Sequence, residues 1–325
     1  MPAGFVGNFI PVLLNSALTA SPICKPFSGG ISVQNIPQGP VYPAGFGGYI
    51  TFSVMKASST YSDYSFGHGI DHCGYGGVAP ILCVGGPVTA QDFVERDDLA
   101  SIRGVSVSQR GLARGTKWKD LNLPFLFAAL PGIEYLRVLF DDPINLDDLG
   151  HQPSLRHVQV DCPKVRGTLK GEMPHLKTAH VRWSDECTAK MVAPGLEQLT
   201  LIRPLFQDLS SVSHLNSLRE LDIHYARNFQ SFLGLQRLSS LTRLGLHSCP
   251  NLTDLSSIEP QSGPRQVVVG GCVRFTDACG ALALGALAKL CIYAGERSPS
   301  EVRLPRAIAS MPVEIDVRGM TSVWV

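Results

Sequence analysis

The chain has 325 residues, of which 44% are hydrophobic, and its 28 Lys and Arg against 27 Asp and Glu leave a formal charge of +1. That is enough apolar material for a continuous core, which excludes disorder throughout, and too little net charge to attract nucleic acid, anionic lipid or an acidic substrate through a global field; charged recognition has to be local. The nine cysteines are an odd number without a CxxC pair, which argues against a disulfide framework or a zinc module and for a reducing, cytoplasmic setting.

Residues 1–88 differ in composition from the rest of the chain. From Met1 to Pro87 the charged residues are Lys25, Lys56, Asp63 and Asp71, while Gly and Pro recur in "NIPQGPVYPAGFGGYI" and "FGHGIDHCGYGG". This composition breaks helices and favours turns, so the region is expected to be irregular or loosely β, with fragments such as "YITFSV" (Tyr49–Val54) forming short strands. No run here or later approaches the ~18 apolar residues of a membrane helix. His68, Asp71, His72 and Cys73 lie within six positions, and Cys83 comes ten residues later. A cysteine nucleophile or a metal site could be built from such a group, but no strand-to-helix elbow, second CxxC or phosphate-cradling glycine loop accompanies it. The expectation is therefore no catalytic residue, no metal and no cofactor.

A second domain, 89–325, opens where the charges return in "QDFVERDDLASIRG". Two short segments, "IRGVSV" from Ile102 and "WKDLNL" from Trp118, read as atypical first turns of a coil whose clear repeats span 133–317. The repeat has the form L-x-x-L-x-L. Its starts are Ile133, Leu155, Leu176, Leu196, Leu218, Leu241, Pro264, Leu287 and Pro312, at steps of 22, 21, 20, 22, 23, 23, 23 and 25 residues. On a strand, side chains alternate, so the fourth and sixth places point inward and the third, fifth and seventh outward. A return of about fifteen residues leaves room for a turn and a short 3₁₀ or helical segment, for which "LGLQRL" (Leu233–Leu238) supplies the inner apolar residues. One such unit cannot bury both faces alone, and stacking puts strand beside strand in a parallel sheet along one wall of a solenoid. The run "DDPINLDDLG" (Asp141–Gly150) reads as a solvated loop and helix start, since it lacks the spacing of a calcium loop.

This spacing resembles that of the leucine-rich repeat family. The units around Cys249, Leu252, Thr253, Asp254 and around Cys272, Phe275, Thr276, Asp277 are similar to its cysteine-containing subclass. The resemblance implies an α/β leucine-rich repeat solenoid, with the parallel sheet on a concave face and short helices, 3₁₀ turns or loops on the convex one. It also implies recognition of another protein through the concave face rather than turnover. Read off the third, fifth, seventh and eighth places of the alignment, the exposed residues expected to bind are Tyr135, Arg137, Phe140, His157, His180, Arg182, Trp183, Arg203, Asp222, His224, Tyr225, Arg243 and His247. They are rich in the Arg and aromatic side chains that anchor protein interfaces. His157, His180, His224 and His247 are spread over too many units to share one metal, since two units separate His180 from His224, about 10 Å at ordinary strand spacing. Two other functions are open: an enzyme or effector whose His/Cys-containing N-terminal region acts while the repeats read the substrate, and a substrate receptor of a ubiquitin-type complex. The first 90 residues hold no charged, leucine-rich segment similar to the F-box that such receptors carry. No nucleic-acid partner is expected, because "PRQVVVGGCVRF" has too few basic residues.

Overall fold

The computed structural model describes residues 33–35, 49–54, 64–70, 78–84, 102–109, 112, 114–167, 171–182, 191–295, 301–318 and 322–324. Four strands, β1 (Val33–Asn35), β2 (Tyr49–Val54), β3 (Tyr64–Ile70) and β4 (Val78–Val84), pair antiparallel in chain order. From β4 onward the pairing is parallel, through β5 (Gly104–Ser108), β6 (Tyr135–Leu139), β8 (His157–Asp161), β10 (Thr178–Arg182), β11 (Gln198–Ile202), β12 (Glu220–His224), β13 (Arg243–His247), β14 (Gln266–Gly270), β15 (Lys289–Tyr293) and β17 (Glu314–Arg318). Together they make one 14-stranded sheet. Two-residue strands β7 (Ile144–Asn145) and β9 (Val165–Arg166) pair behind it, as do β16 (Glu301–Arg303) and β18 (Ser322–Trp324). The chain is thus a parallel β-solenoid with little helix. His68 lies in β3, while Asp71, His72 and Cys73 fall outside the described residues.

The register explains the repeat. Each strand occupies the third to seventh places of its unit, and equal places stand opposite one another: Leu199, Leu221, Leu244, Val267 and Leu290 form one row, and Leu201, Ile223, Leu246, Val269 and Ile292 the next. All ten are at most 2% exposed, so each coil covers the apolar pair of its neighbour. The first-place leucines Leu155, Leu176, Leu196, Leu218 and Leu241 are buried as well, each closing a turn by donating its N–H to the carbonyl three residues earlier. The returns are 3₁₀ segments at Leu209–Ser211, Leu235–Arg237, Cys279–Ala283 and Arg306–Ser310. Leu235 and Leu238 of "LGLQRL" face inward, whereas Leu233 is exposed. Beneath the returns Phe206, Phe229 and Phe232 pack edge to face, with centroids 6.2 and 5.5 Å apart.

The two upstream segments part company. "IRGVSV" supplies β5 and is a coil of the sheet. "WKDLNL" is not a strand: it forms a 3₁₀ turn, Trp118–Leu121, then passes through Asn122 in a left-handed conformation (φ 52°) into the α-helix α1, Leu123–Ala129. Pro124, near the helix start where no N–H is needed, favours that outcome over a strand. Trp118 and Leu121 are buried, and Trp118 Nε1 donates to Asp148 at 2.8 Å, which ties the return to the "DDPINLDDLG" turn.

Two further places carry the stack. At the ninth place Ala226, Cys249 and Cys272 are buried where the chain leaves the strand. Cys249 Sγ lies 3.6 Å from the His247 carbonyl, Cys272 Sγ lies 3.7 Å from that of Gly270, and the Cys249 N–H points at Cys272 Sγ at 3.4 Å. The hydrogen bond to Cys272 and burial push the Cys249 thiol up, so it packs as a neutral, weakly polar group. At the seventeenth place stand Gly234, Ser257 and Gly280. A Cβ on Gly280 would collide with the Leu255 carbonyl of the preceding coil, and one on Gly234 would lie 2.8 Å from the Leu209 backbone; Ser257 occupies the same place by accepting the Phe232 N–H at 3.1 Å. At both glycines the returns of neighbouring coils approach backbone to backbone.

This packing sets two stability measurements. Leu244→Ala, at a fully buried place with rigid neighbours above and below, is expected to cost about 2–5 kcal/mol in urea unfolding. Gly280→Ala should cost about 1–3 kcal/mol although it adds a single methyl, because the colliding atom is backbone. A cost near zero for Gly280→Ala would mean that the coils can slide apart there.

Candidate functional site

The outward side of the long sheet presents the third, fifth and seventh places of every coil, and the register makes each residue a neighbour of its equivalent one strand away. In β12 and β13 this gathers four polar side chains. Arg243 Nη1 pairs with Asp222 Oδ2 at 2.5 Å, and His247 Nε2 lies 3.5 Å from Asp222 Oδ1. The His247 ring stacks on His224 at 4.5 Å with planes 15° apart. His180 stands in the fifth-place row two strands away from Asp222, with Thr200 between them.

A glycine makes room for the group. A methyl on Gly245, which lies opposite Asp222, would collide with Asp222 Oδ1 and come within 2.9 Å of His247 Nε2; one on Gly270 would come within 3.0 Å of His247 Nδ1. Both glycines are therefore part of the cluster, floor rather than gap. Burial pushes the Asp222 carboxyl up, but the His247 imidazole and the Arg243 guanidinium outweigh it and hold it below the usual carboxylate range. Burial, reinforced by the neighbouring His247 imidazole, pushes His224 down to about 4, and burial lowers His180 too. Chemically the cluster is an ion pair with imidazoles stacked beside it, His224 among them neutral. Among the described residues no group of three or more His, Cys, Asp or Glu is arranged to hold a metal.

The remaining expected residues are spread more widely. Tyr135 and Arg137 lie half-buried on β6. Arg182 pairs with Asp161 of the adjacent strand, Nη1 to Oδ1 3.3 Å. His157 is not exposed as the alternation suggests: it is 4% accessible, with Nδ1 2.7 Å from Thr178 Oγ1 of the next coil. Phe140 is likewise buried at 2%, edge to face with Trp118 at 5.4 Å. It comes just after the strand, and the preceding return, longer than the others, supplies an aromatic partner that draws it inward. Trp183 lies outside the described residues.

Arg203 and Tyr225 also differ from expectation. They occupy the eighth place, just past β11 and β12, and belong to the edge of the sheet rather than its face. Arg203, Tyr225 and Ser248 have φ of 53°, 58° and 52°, and Gly271 in the next coil has 62°. Only at Gly271 is this left-handed turn free of steric cost; for the other three it amounts to about 1–2 kcal/mol each. The Arg203 guanidinium lies 5.9 Å from the Tyr225 ring centroid. Sequence alternation cannot place an eighth residue, because the strand has ended by then. A signal was nonetheless present: the same place holds a glycine at 271.

Sequence reasoning did not single out the end of the face at β15 and β17, where Lys289 pairs with Glu314 at 2.5 Å and Asp316 accepts from Tyr293 at 3.3 Å and from Arg318 at 2.9 Å. Among the described residues no helix is long and apolar enough to cross a membrane, and Cys162, Cys249, Cys272, Cys279 and Cys291 are free thiols. No protein-family model matches the chain, and no curated protein matches it in sequence.

The lowered His224 makes stability sensitive to acid. An unfolded histidine titrates near 6.5, so from there down to about pH 4 the unfolded chain takes up a proton that folded His224 refuses, and stability falls as pH falls. The loss is up to roughly 3 kcal/mol below that window. Urea midpoints at pH 7 and 4.5 should differ clearly in the native chain and less in His224→Phe, which keeps the stack but cannot protonate. An equal acid loss in both would remove His224 as its source.

Proposed function

We propose that the chain is a leucine-rich-repeat-type recognition module that binds another protein through the outward, concave side of its parallel sheet, without turnover. The observation that carries this reading is the organisation of the face. Several of its charged residues are held by ion pairs between adjacent strands, Arg182 with Asp161, Arg243 with Asp222 and Lys289 with Glu314. Side chains already fixed in this way lose little further freedom on association, and that ordering is one of the main costs of binding a flat polar surface. The L-x-x-L-x-L frame and the 3₁₀ returns support the family assignment, and the free thiols fit a reducing compartment.

The test is a block on the face that spares the core. Thr200 sits at a fifth place between His180 and Asp222 and is only half-buried. Thr200→Arg should change stability by less than about 1 kcal/mol, as a surface substitution does, yet abolish retention of a partner captured from the native cell lysate and identified by mass spectrometry. Retention of the same protein by Thr200→Arg and by Arg182→Ala, both shown to be folded, would move binding away from this face.

A further inference from the structure

The two long edges of the sheet differ in what surrounds their charges. Where the chain enters the strands, neighbouring coils neutralise each other: Arg156 pairs with Glu134 at 3.2 Å and Lys177 with Glu197 at 2.7 Å. A polar groove of about 350 Å³ along that edge includes Ser217 and Thr242, whose hydroxyls donate to the Pro194 and Arg219 carbonyls at 2.5 and 2.9 Å. Arg219 and Arg265 on that edge are exposed without a paired carboxylate among the described residues, but the residues beside them in the chain are not exposed apolar ones.

The edge where the chain leaves β11 to β14 combines unpaired arginines with exposed apolar side chains. It carries Arg203, Arg227 and Arg274, all exposed, and among the described residues no carboxylate pairs with any of them. Arg203 rests on Tyr225, and Arg274 Nη1 donates to Asn251 Oδ1 at 3.2 Å. The backbone beneath them is tied from coil to coil by Asn228 Nδ2 donating to the Leu205 carbonyl at 2.9 Å and Asn251 Nδ2 to that of Arg227 at 2.6 Å. Leu205, Tyr225 and Val273 stand between the arginines at 63%, 41% and 38% exposure. The left-handed turns at Arg203 and Tyr225 argue in the same direction: glycine would remove the steric cost there, as at Gly271, but would also remove both side chains.

We infer that this edge binds an extended, acidic segment of a partner protein that also carries apolar side chains. Charge complementarity selects the acid: three guanidiniums without carboxylates match carboxylates at intervals. The exposed Leu205, Tyr225 and Val273 select a polypeptide over a bare polyanion. The chain's own N-terminal region does not supply the occupant, because its charges up to Pro87 are Lys25, Lys56, Asp63 and Asp71, which sum to zero. From β11 to β14 the edge spans about 14 Å, three strand spacings, which four or five extended residues cover. The inference rests on the recognition function proposed for the face and adds to it a second contact with a stated chemistry.

The full chain is panned at low salt against a random heptapeptide library, and the best peptide is labelled with fluorescein and titrated by anisotropy. Selected peptides should be enriched in Asp and Glu interspersed with aliphatic or aromatic residues. Their affinity should fall at least about tenfold in Arg203→Asn/Arg227→Gln/Arg274→Gln and with added salt, but not in Lys177→Gln on the opposite edge. Asn is used at 203 because it tolerates the left-handed turn, and thermal melts of each variant confirm folding. Peptides without acidic enrichment, or acidic peptides bound equally by the triple variant, overturn the inference. So does tighter binding of a 20-residue oligodeoxythymidylate than of the best peptide, which would make the edge a polyanion site. The face and the edge separate in the lysate experiment: loss of the partner with Thr200→Arg but not with the arginine variant leaves the face and removes the edge. Loss with the arginine variant alone keeps the edge and removes the face.

Discussion

The structure depends on one constraint: consecutive strands stack in register, so that every place in one coil meets the same place in the next. A single strand of five residues with two inward leucines has no stability of its own. Placed between two copies, Leu244 meets Leu221 on one side and Val267 on the other, and all three leave water together. The same constraint fixes what the returns can be. Coils about 4.8 Å apart at the sheet must also approach closely at the back, which is why Gly234 and Gly280 sit against the neighbouring backbone and why a serine replaces them by bonding to that backbone.

In-register stacking has a consequence on the outward side as well. Like charges at the same place in adjacent coils would repel along the whole sheet, so the face has to alternate or shift its charges. It does so by pairing within a row, as Asp161 with Arg182 and Lys289 with Glu314, or across rows, as Asp222 with Arg243. Where two identical side chains do meet, His224 and His247, burial and the second imidazole keep His224 neutral, and the rings stack instead of repelling. The polar face is consequently a set of local solutions to one periodic problem.

The same periodicity decides which parts were legible in sequence. The strands and the buried rows were readable because apolar residues at the first, fourth and sixth places repeat with the coil, and alternation then fixed Asp222, His224, Arg243 and His247 on one side. Alternation gives out at the strand ends: reading the eighth place with the outward ones exposed Phe140, which Trp118 draws into the core, and put Arg203 and Tyr225 on the face although a left-handed turn carries them to the edge. It also exposed His157, because a period of two describes direction and not cover, and Thr178 of the next coil bonds to that ring. "WKDLNL" has the repeat's leucines yet forms a 3₁₀ turn and helix, since its spacing from the next unit is too short for a full coil. The glycines at 245 and 270 look like weaknesses in a strand until Asp222 and His247 are in place.

Departures from the repeat are where function is best sought, for a physical reason. Residues that obey the pattern are explained by stacking alone, and nothing more need be asked of Leu221 or Leu246. Gly245 gives up a side chain on the face so that an ion pair can sit low against the sheet, a loss of packing that stacking does not require. Arg203 and Tyr225 run the opposite way, keeping large side chains at a turn where glycine would be easier. Neither choice improves the coil that makes it. The guanidinium, phenol ring and carboxylate they hold at fixed spacing are the groups on which the proposed recognition rests.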